Sequence, residues 1–154
     1  IMKKIISTYL ILIFLSSCGY EAMYSKENRK NYDFSISNLG LNGSRDINLK
    51  IKERLNNYTL SQKDKDFIIK ILSTLEKIPL AKNVSGDPTL FKLKITVEVE
   101  TLKNGKLQSN FVIIENFDYN NNSNKFELKR YEKEIKNNLA NIISDKLIYK
   151  LSNI

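Results

Sequence analysis

The chain has 154 residues, a formal charge of +8, one cysteine, and neither histidine nor tryptophan. That length suits one domain with a real packed core. The missing histidine excludes imidazole bases, imidazole metal ligands and nucleophilic Ser-His or Cys-His machinery, and a lone cysteine offers no disulfide framework. Isoleucine, lysine and asparagine number 20, 21 and 19. All three draw on A/T-rich codons, so the lysine excess is only weak support for an acidic partner, and no nucleic-acid partner is expected.

Lys3 and Lys4 precede an apolar run from Ile5 to Leu15, and Ser16, Ser17 and Cys18 follow it. A basic flank, an apolar run and small residues form a secretion signal. The run has 11 residues and is interrupted by Ser7 and Thr8, whereas a membrane span takes about 20. Leucine, two small residues and a cysteine form the pattern at which bacterial lipoprotein signals are cut and the thiol acylated. The residues therefore divide into a signal over 1–17, a lipidated tether over 18–31 and one domain over 32–154, with membrane attachment through lipid on Cys18. An ordinary secretory signal with a chance cysteine is the competing reading. Cleavage before Cys18 removes two lysines, taking 154 residues at +8 to 137 residues at +6.

Tyr32, Phe34 and Ile36 alternate with polar residues and predict a short strand, closed by a loop at Asn42-Gly43. Ser44 is placed as the N-cap of a helix over Arg45–Asn57, whose narrow stripe of Ile47, Ile51 and Leu55 fits a surface helix. Residues 61–78 fit two patterns. Ser61-Gln62-Lys63-Asp64 reads as a capping box ahead of a helical face, while Phe67, Ile69 and Ile71 alternate as a strand. By pattern alone the two are evenly matched; the neighbouring elements, together with the family resemblance given below, favour a strand over Asp66–Thr74 and a second extended piece over Ile78–Lys82.

The next strand is the clearest. Phe91, Leu93, Ile95, Val97 and Val99 share one face, and Lys92, Lys94, Thr96, Glu98 and Glu100 the other. Asn104-Gly105 predicts a type I′ hairpin turn. The returning strand covers Leu107–Asp118, with Phe111, Ile113 and Phe117 expected inside. A final helix is predicted over Lys125–Ser152, burying Leu128, Tyr131, Ile135, Leu139, Ile142, Ile143, Leu147 and Leu151, with Glu132 able to pair with Lys136.

The expected fold is an α+β two-layer sandwich in the order β-α-β-β-β-α. Its four-stranded sheet is mostly antiparallel, two helices pack on one face, and the face carrying Lys92 and Lys94 is uncovered. No phosphate loop, nucleophile elbow or metal-spaced cluster occurs. Glu98 and Glu100 share a strand face, but solvation explains them better than acid–base work. Tyr119 and Asn122 beside the last helix are candidates for binding, with loop polarity an equal explanation. The expectation is a non-enzyme without cofactor.

The mature chain resembles the LPS-assembly lipoprotein family (LptE-like), in its alphaproteobacterial branch. The start Cys18-Gly19-Tyr20-Glu21-Ala22-Met23-Tyr24-Ser25 is similar to that branch's cysteine-glycine-aromatic opening and aliphatic-tyrosine-small ending. Ala22 and Met23 stand where that branch usually has proline and leucine. The element order, the hairpin, Phe117 and Tyr119, and Leu139-Ala140 with Ile143 also fit. The resemblance implies a lipid-anchored outer-membrane protein, facing the periplasm or a barrel lumen, that acts as plug and folding partner of the β-barrel lipopolysaccharide translocon. It also implies lipopolysaccharide as a ligand, for which Lys92 and Lys94 are candidate phosphate partners. Gly19 after the cysteine is consistent with the outer membrane. The alternative is a stand-alone lipoprotein that binds an acidic glycolipid or a cell-wall component.

Overall fold

The computed structural model describes residues 32–60 and 62–154. The signal over 1–17, the tether over 18–31 and Cys18 itself lie outside them. Six elements follow in order: β1 (Ser35–Gly43), α1 (Arg45–Thr59), β2 (Asp66–Lys82), β3 (Pro88–Lys103), β4 (Lys106–Asn120) and α2 (Lys125–Ser152). They make the expected α+β sandwich, with the four strands in the sheet order β1-β2-β3-β4. β2, β3 and β4 are antiparallel neighbours, whereas β1 runs parallel to β2, so the sheet is mixed. The parallel pair follows from the connection: a helix lies between β1 and β2, and parallel neighbours need such a crossover.

β3 shows why the sandwich has one oily layer. Leu93, Ile95, Val97 and Val99 are all buried, and Ile69, Ile71 and Ile113 from the flanking strands join them. Ile47, Ile51 and Leu55 of α1, and Leu139, Ile143, Leu147 and Leu151 of α2, close over that layer. Each fully buried aliphatic side chain of this kind is worth about 1.5–3 kcal/mol. Arg54 of α1 meets Asp145 of α2, and Lys136 of α2 lies 3.5 Å from Asp46 of α1, so the two helices are also tied at the surface.

Several boundaries differ from the sequence expectation. β1 extends from Ser35 to Gly43, so Asn42-Gly43 ends a strand instead of forming a loop. A register shift between Ile36 and Asn38 changes the phase of the strand, which hides its alternation from a period-two reading. β2 is one continuous strand through Pro79. That proline lies beyond Ser73, where pairing with β1 ends, and beside a register shift before Ala81. Open strand sides and bulges are where sheets tolerate proline. Phe117, expected inside, is 44% exposed and lines an open groove beside α2, whereas Ile113 and Tyr119 on the same edge strand are buried. Tyr131 and Ile142 of α2 are 44% and 43% exposed, so the buried stripe of that helix is narrower than its apolar pattern. Asn104 and Gly105 do adopt positive φ, 52° and 74°, as a type I′ turn requires.

The passage from β1 into α1 is tight. Gly43 has φ 94°, and a Cβ built there would sit 1.9 Å from the Ser73 carbonyl oxygen. The Ser44 amide donates to that same oxygen at 2.9 Å. Ser44 holds the N-cap position but its side chain makes no cap bond. Instead Ser73 Oγ donates to Asn48 Oδ1 at 2.7 Å, and Asn48 Nδ2 donates to the Asn42 carbonyl at 3.0 Å. Gly43→Ala combines a strained φ with a backbone clash, and its expected cost is about 2–4 kcal/mol. Urea unfolding measures it; a loss below about 0.5 kcal/mol would contradict this packing.

Candidate functional site

The open face of the sheet is built by register. Across β2, β3 and β4, Leu72, Glu98 and Val112 form one row, and Thr74, Thr96 and Ile114 the next. Glu76, Lys94 and Asn116 follow, then Ile78, Lys92 and Asp118. One end of the face is therefore partly apolar and the other is charged. Lys94 lies 3.2 Å from Glu76 and Lys92 3.8 Å from Asp118. The two lysines do share the uncovered face, as their alternation predicts, but each has a carboxylate on a neighbouring strand. Pairs this exposed contribute little to stability. Any anion approaching either lysine also meets a carboxylate. The sequence could not show this, because strand register is a long-range property. Glu98 and Glu100 lie exposed on the same face.

The other polar centre lies between β4 and α2. Tyr119 is buried, and its hydroxyl donates to Glu132 Oε1 at 2.7 Å. Lys77 Nζ donates to the same oxygen at 2.7 Å and sits 4.0 Å from the Phe91 ring centre. Phe91 packs on Tyr119, and Tyr119 meets Tyr131 edge to face. Glu132 thus joins β2, β4 and α2; Lys136, expected as its i, i+4 partner, contacts Asp46 instead and acts on Glu132 through its charge. Burial pushes the Tyr119 hydroxyl above its ordinary range, and the Glu132 carboxylate adds to this. Burial also acts to raise Glu132, but hydrogen bonds from Lys77 and Tyr119, with the charges of Lys77 and Lys136, outweigh it and leave Glu132 lowered. A tyrosine held protonated and a carboxylate held ionised form a brace between layers. The sequence pattern ends this strand at Asp118 and leaves Tyr119 as a binding candidate; the strand instead runs on to Asn120 and buries Tyr119, and the contact with Lys77 depends on strand register.

A groove of about 490 Å³ opens beside this brace, lined by Phe117, Asn121, Arg130, Tyr131 and Glu134 among others. Asn122 also lines it, and its side chain accepts from the Asn124 amide at 2.9 Å, shaping the turn into α2. Asn124 then caps α2, its side chain accepting from the amides of Phe126 and Glu127. Among the described residues no three His, Cys, Asp or Glu side chains gather as a metal site, and no helix is long and apolar enough to cross a membrane.

No family profile matches the chain, and no curated protein matches it. Solved structures do share its fold. Rare lipoprotein B from Shewanella oneidensis is 19% identical with a TM-score of 0.53, covering 75% of this chain and 97% of that one. A minor lipoprotein from Acinetobacter baumannii is 14% identical with a TM-score of 0.58, covering 78% and 93%. Lipoprotein B from Nitrosomonas europaea is 18% identical with a TM-score of 0.58, covering 77% and 83%. The class defined here is one of fold: a β-α-β-β-β-α sandwich found in solved bacterial lipoproteins.

Glu132 also sets a pH dependence. Its carboxyl titrates below the ordinary 4.5 in the folded chain, so its contribution is complete above that value and is lost as pH falls through the lower, folded one. Glu132→Gln should cost about 1 kcal/mol at pH 7. It should also flatten the decline in stability as pH falls below the ordinary carboxylate value of 4.5. Denaturant unfolding over that range is the check, and an unchanged acid slope would contradict the brace.

Proposed function

We propose that this chain is a non-catalytic lipoprotein of the outer membrane that serves lipopolysaccharide transport and assembly. In this reading lipid on Cys18 anchors it, and the domain lodges in the β-barrel translocon as plug and folding partner. The observation that carries the reading is the agreement of two independent features. The leucine-serine-serine-cysteine sequence at residues 15–18 is a lipoprotein processing pattern. The fold beyond residue 31 is one shared with solved proteins that are lipoproteins by name. The uncovered sheet face adds support. A sandwich buried on one side only has a broad, mixed surface left to meet another macromolecule.

Lipopolysaccharide is the ligand this role brings into contact with the domain. Lys92 and Lys94 are its candidate phosphate partners, and they would exchange Asp118 and Glu76 for phosphate as they bind. Such an exchange is favoured by charge-assisted hydrogen bonds to phosphate and opposed by the displaced carboxylates.

Three measurements test these statements. Depleting the chain should lower both the assembled translocon barrel and the lipopolysaccharide at the cell surface; normal levels of both would overturn the role. Cys18→Ser should leave an unprocessed precursor without acyl chains by mass spectrometry, and normal processing with retention at the outer membrane would refute the anchor. Lys92→Glu with Lys94→Glu should weaken lipopolysaccharide binding by about tenfold, which corresponds to about 1.4 kcal/mol, while the unfolding midpoint stays within a few degrees. Unchanged affinity would remove these lysines from the binding surface.

A further inference from the structure

Natural sheets protect their edges with charge, proline, bulges or shortness. β1, at one edge, spans nine residues and is interrupted by a register shift near its start. β4, at the other edge, spans 15 residues. Its single register shift lies opposite Thr101 and Leu102, toward the hairpin. Between Asn110 and Asn116 it has no proline, no glycine and no bulge. The open-face positions of that stretch are Asn110, Val112, Ile114 and Asn116, all uncharged. Val112 and Ile114 are each 50% exposed. No described residue pairs with the outer side of β4.

The order of those four side chains is amide, aliphatic, aliphatic, amide. It reads alike in both directions about Ile113, so an antiparallel copy of the same segment is its natural complement. We propose that β4 pairs antiparallel with β4 of a second copy about a two-fold axis through Ile113, joining the two sheets edge to edge. Val112 of each copy then lies opposite Ile114 of the other, and Asn110 opposite Asn116. On the helix-covered face Phe111 lies opposite Glu115. Such an interface is isologous, as a two-fold axis requires. Face and side-chain chemistry select the register. Moving the axis to Val112 sets Asn110 against Ile114, and moving it to Ile114 sets Val112 against Asn116. On the open face like meets like only with the axis at Ile113. Main-chain hydrogen bonds supply affinity in strand addition, and the alternate side chains supply specificity. The pairing is a property of the domain and does not rest on the proposed role in transport.

Charge and thiol variants of the full chain, purified in detergent, test it. The wild type should sediment as a dimer that dissociates on dilution. Val112→Lys with Ile114→Lys places like charges in both cross-strand pairs and should weaken the dimer by at least about tenfold. Val112→Glu with Ile114→Lys places opposite charges in the same pairs and should restore it. These positions face solvent in the single copy, and circular dichroism checks that each variant is folded. Oxidising a mixture of Val112→Cys and Ile114→Cys proteins should give a crosslinked dimer that neither yields alone; Cys18 is common to both and cannot produce that difference. A wild type that stays monomeric to about 1 mM, a dimer indifferent to both charge variants, or a thiol mixture that crosslinks no better than either protein by itself would overturn the proposal.

Discussion

The Ser73 carbonyl oxygen leaves no room for a side chain at Gly43, and the architecture follows from that contact. β1 can run beside β2 and then leave at once into α1 because Gly43 adopts φ 94° and brings no Cβ against Ser73. The Ser44 amide, Asn48 and Ser73 complete the junction with hydrogen bonds that satisfy its buried polar groups. Once the junction is made, β1 is parallel to β2 and α1 lies over the sheet. The remaining apolar surface of β3 and β4 is left for α2. Both helices occupy one face, and the other face is left open to solvent.

Much of this was legible in the sequence for a local reason. β3 alternates without interruption, α2 repeats its aliphatic residues over many turns, and Asn104-Gly105 matches one turn type. What was hidden depends on pairing between distant residues. The phase change at Ile36–Asn38 disguised β1, and the junction at Ser73 needs a partner thirty positions away from Gly43. The candidate site divided in the same way. Alternation placed Lys92 and Lys94 on one open face, but only the register showed Asp118 and Glu76 beside them. Tyr119 was read as a binding candidate beside the last helix; burial and its bond to Glu132 make it part of the framework.

Two parts of the chain that do not depend on each other support the proposed role. The first eighteen residues carry an export and acylation pattern whose logic is chemical. The domain from Tyr32 onward carries a fold whose logic is packing, with its oily layer spent on its own helices and its second face free. A protein built this way can be held at a membrane by lipid while offering a broad, nearly charge-balanced sheet surface to a macromolecule. Such a surface suits docking by shape more than capture by charge, since Lys92 and Lys94 are already offset by neighbouring carboxylates.

The most direct measurement is affinity purification of the native chain from detergent-solubilised membranes, with a photo-crosslinker at Thr96 in the middle of the open face. The account predicts recovery of an outer-membrane β-barrel of translocon size, crosslinked through that position. Recovery of the chain without any barrel, or a barrel that never crosslinks through Thr96, would contradict it.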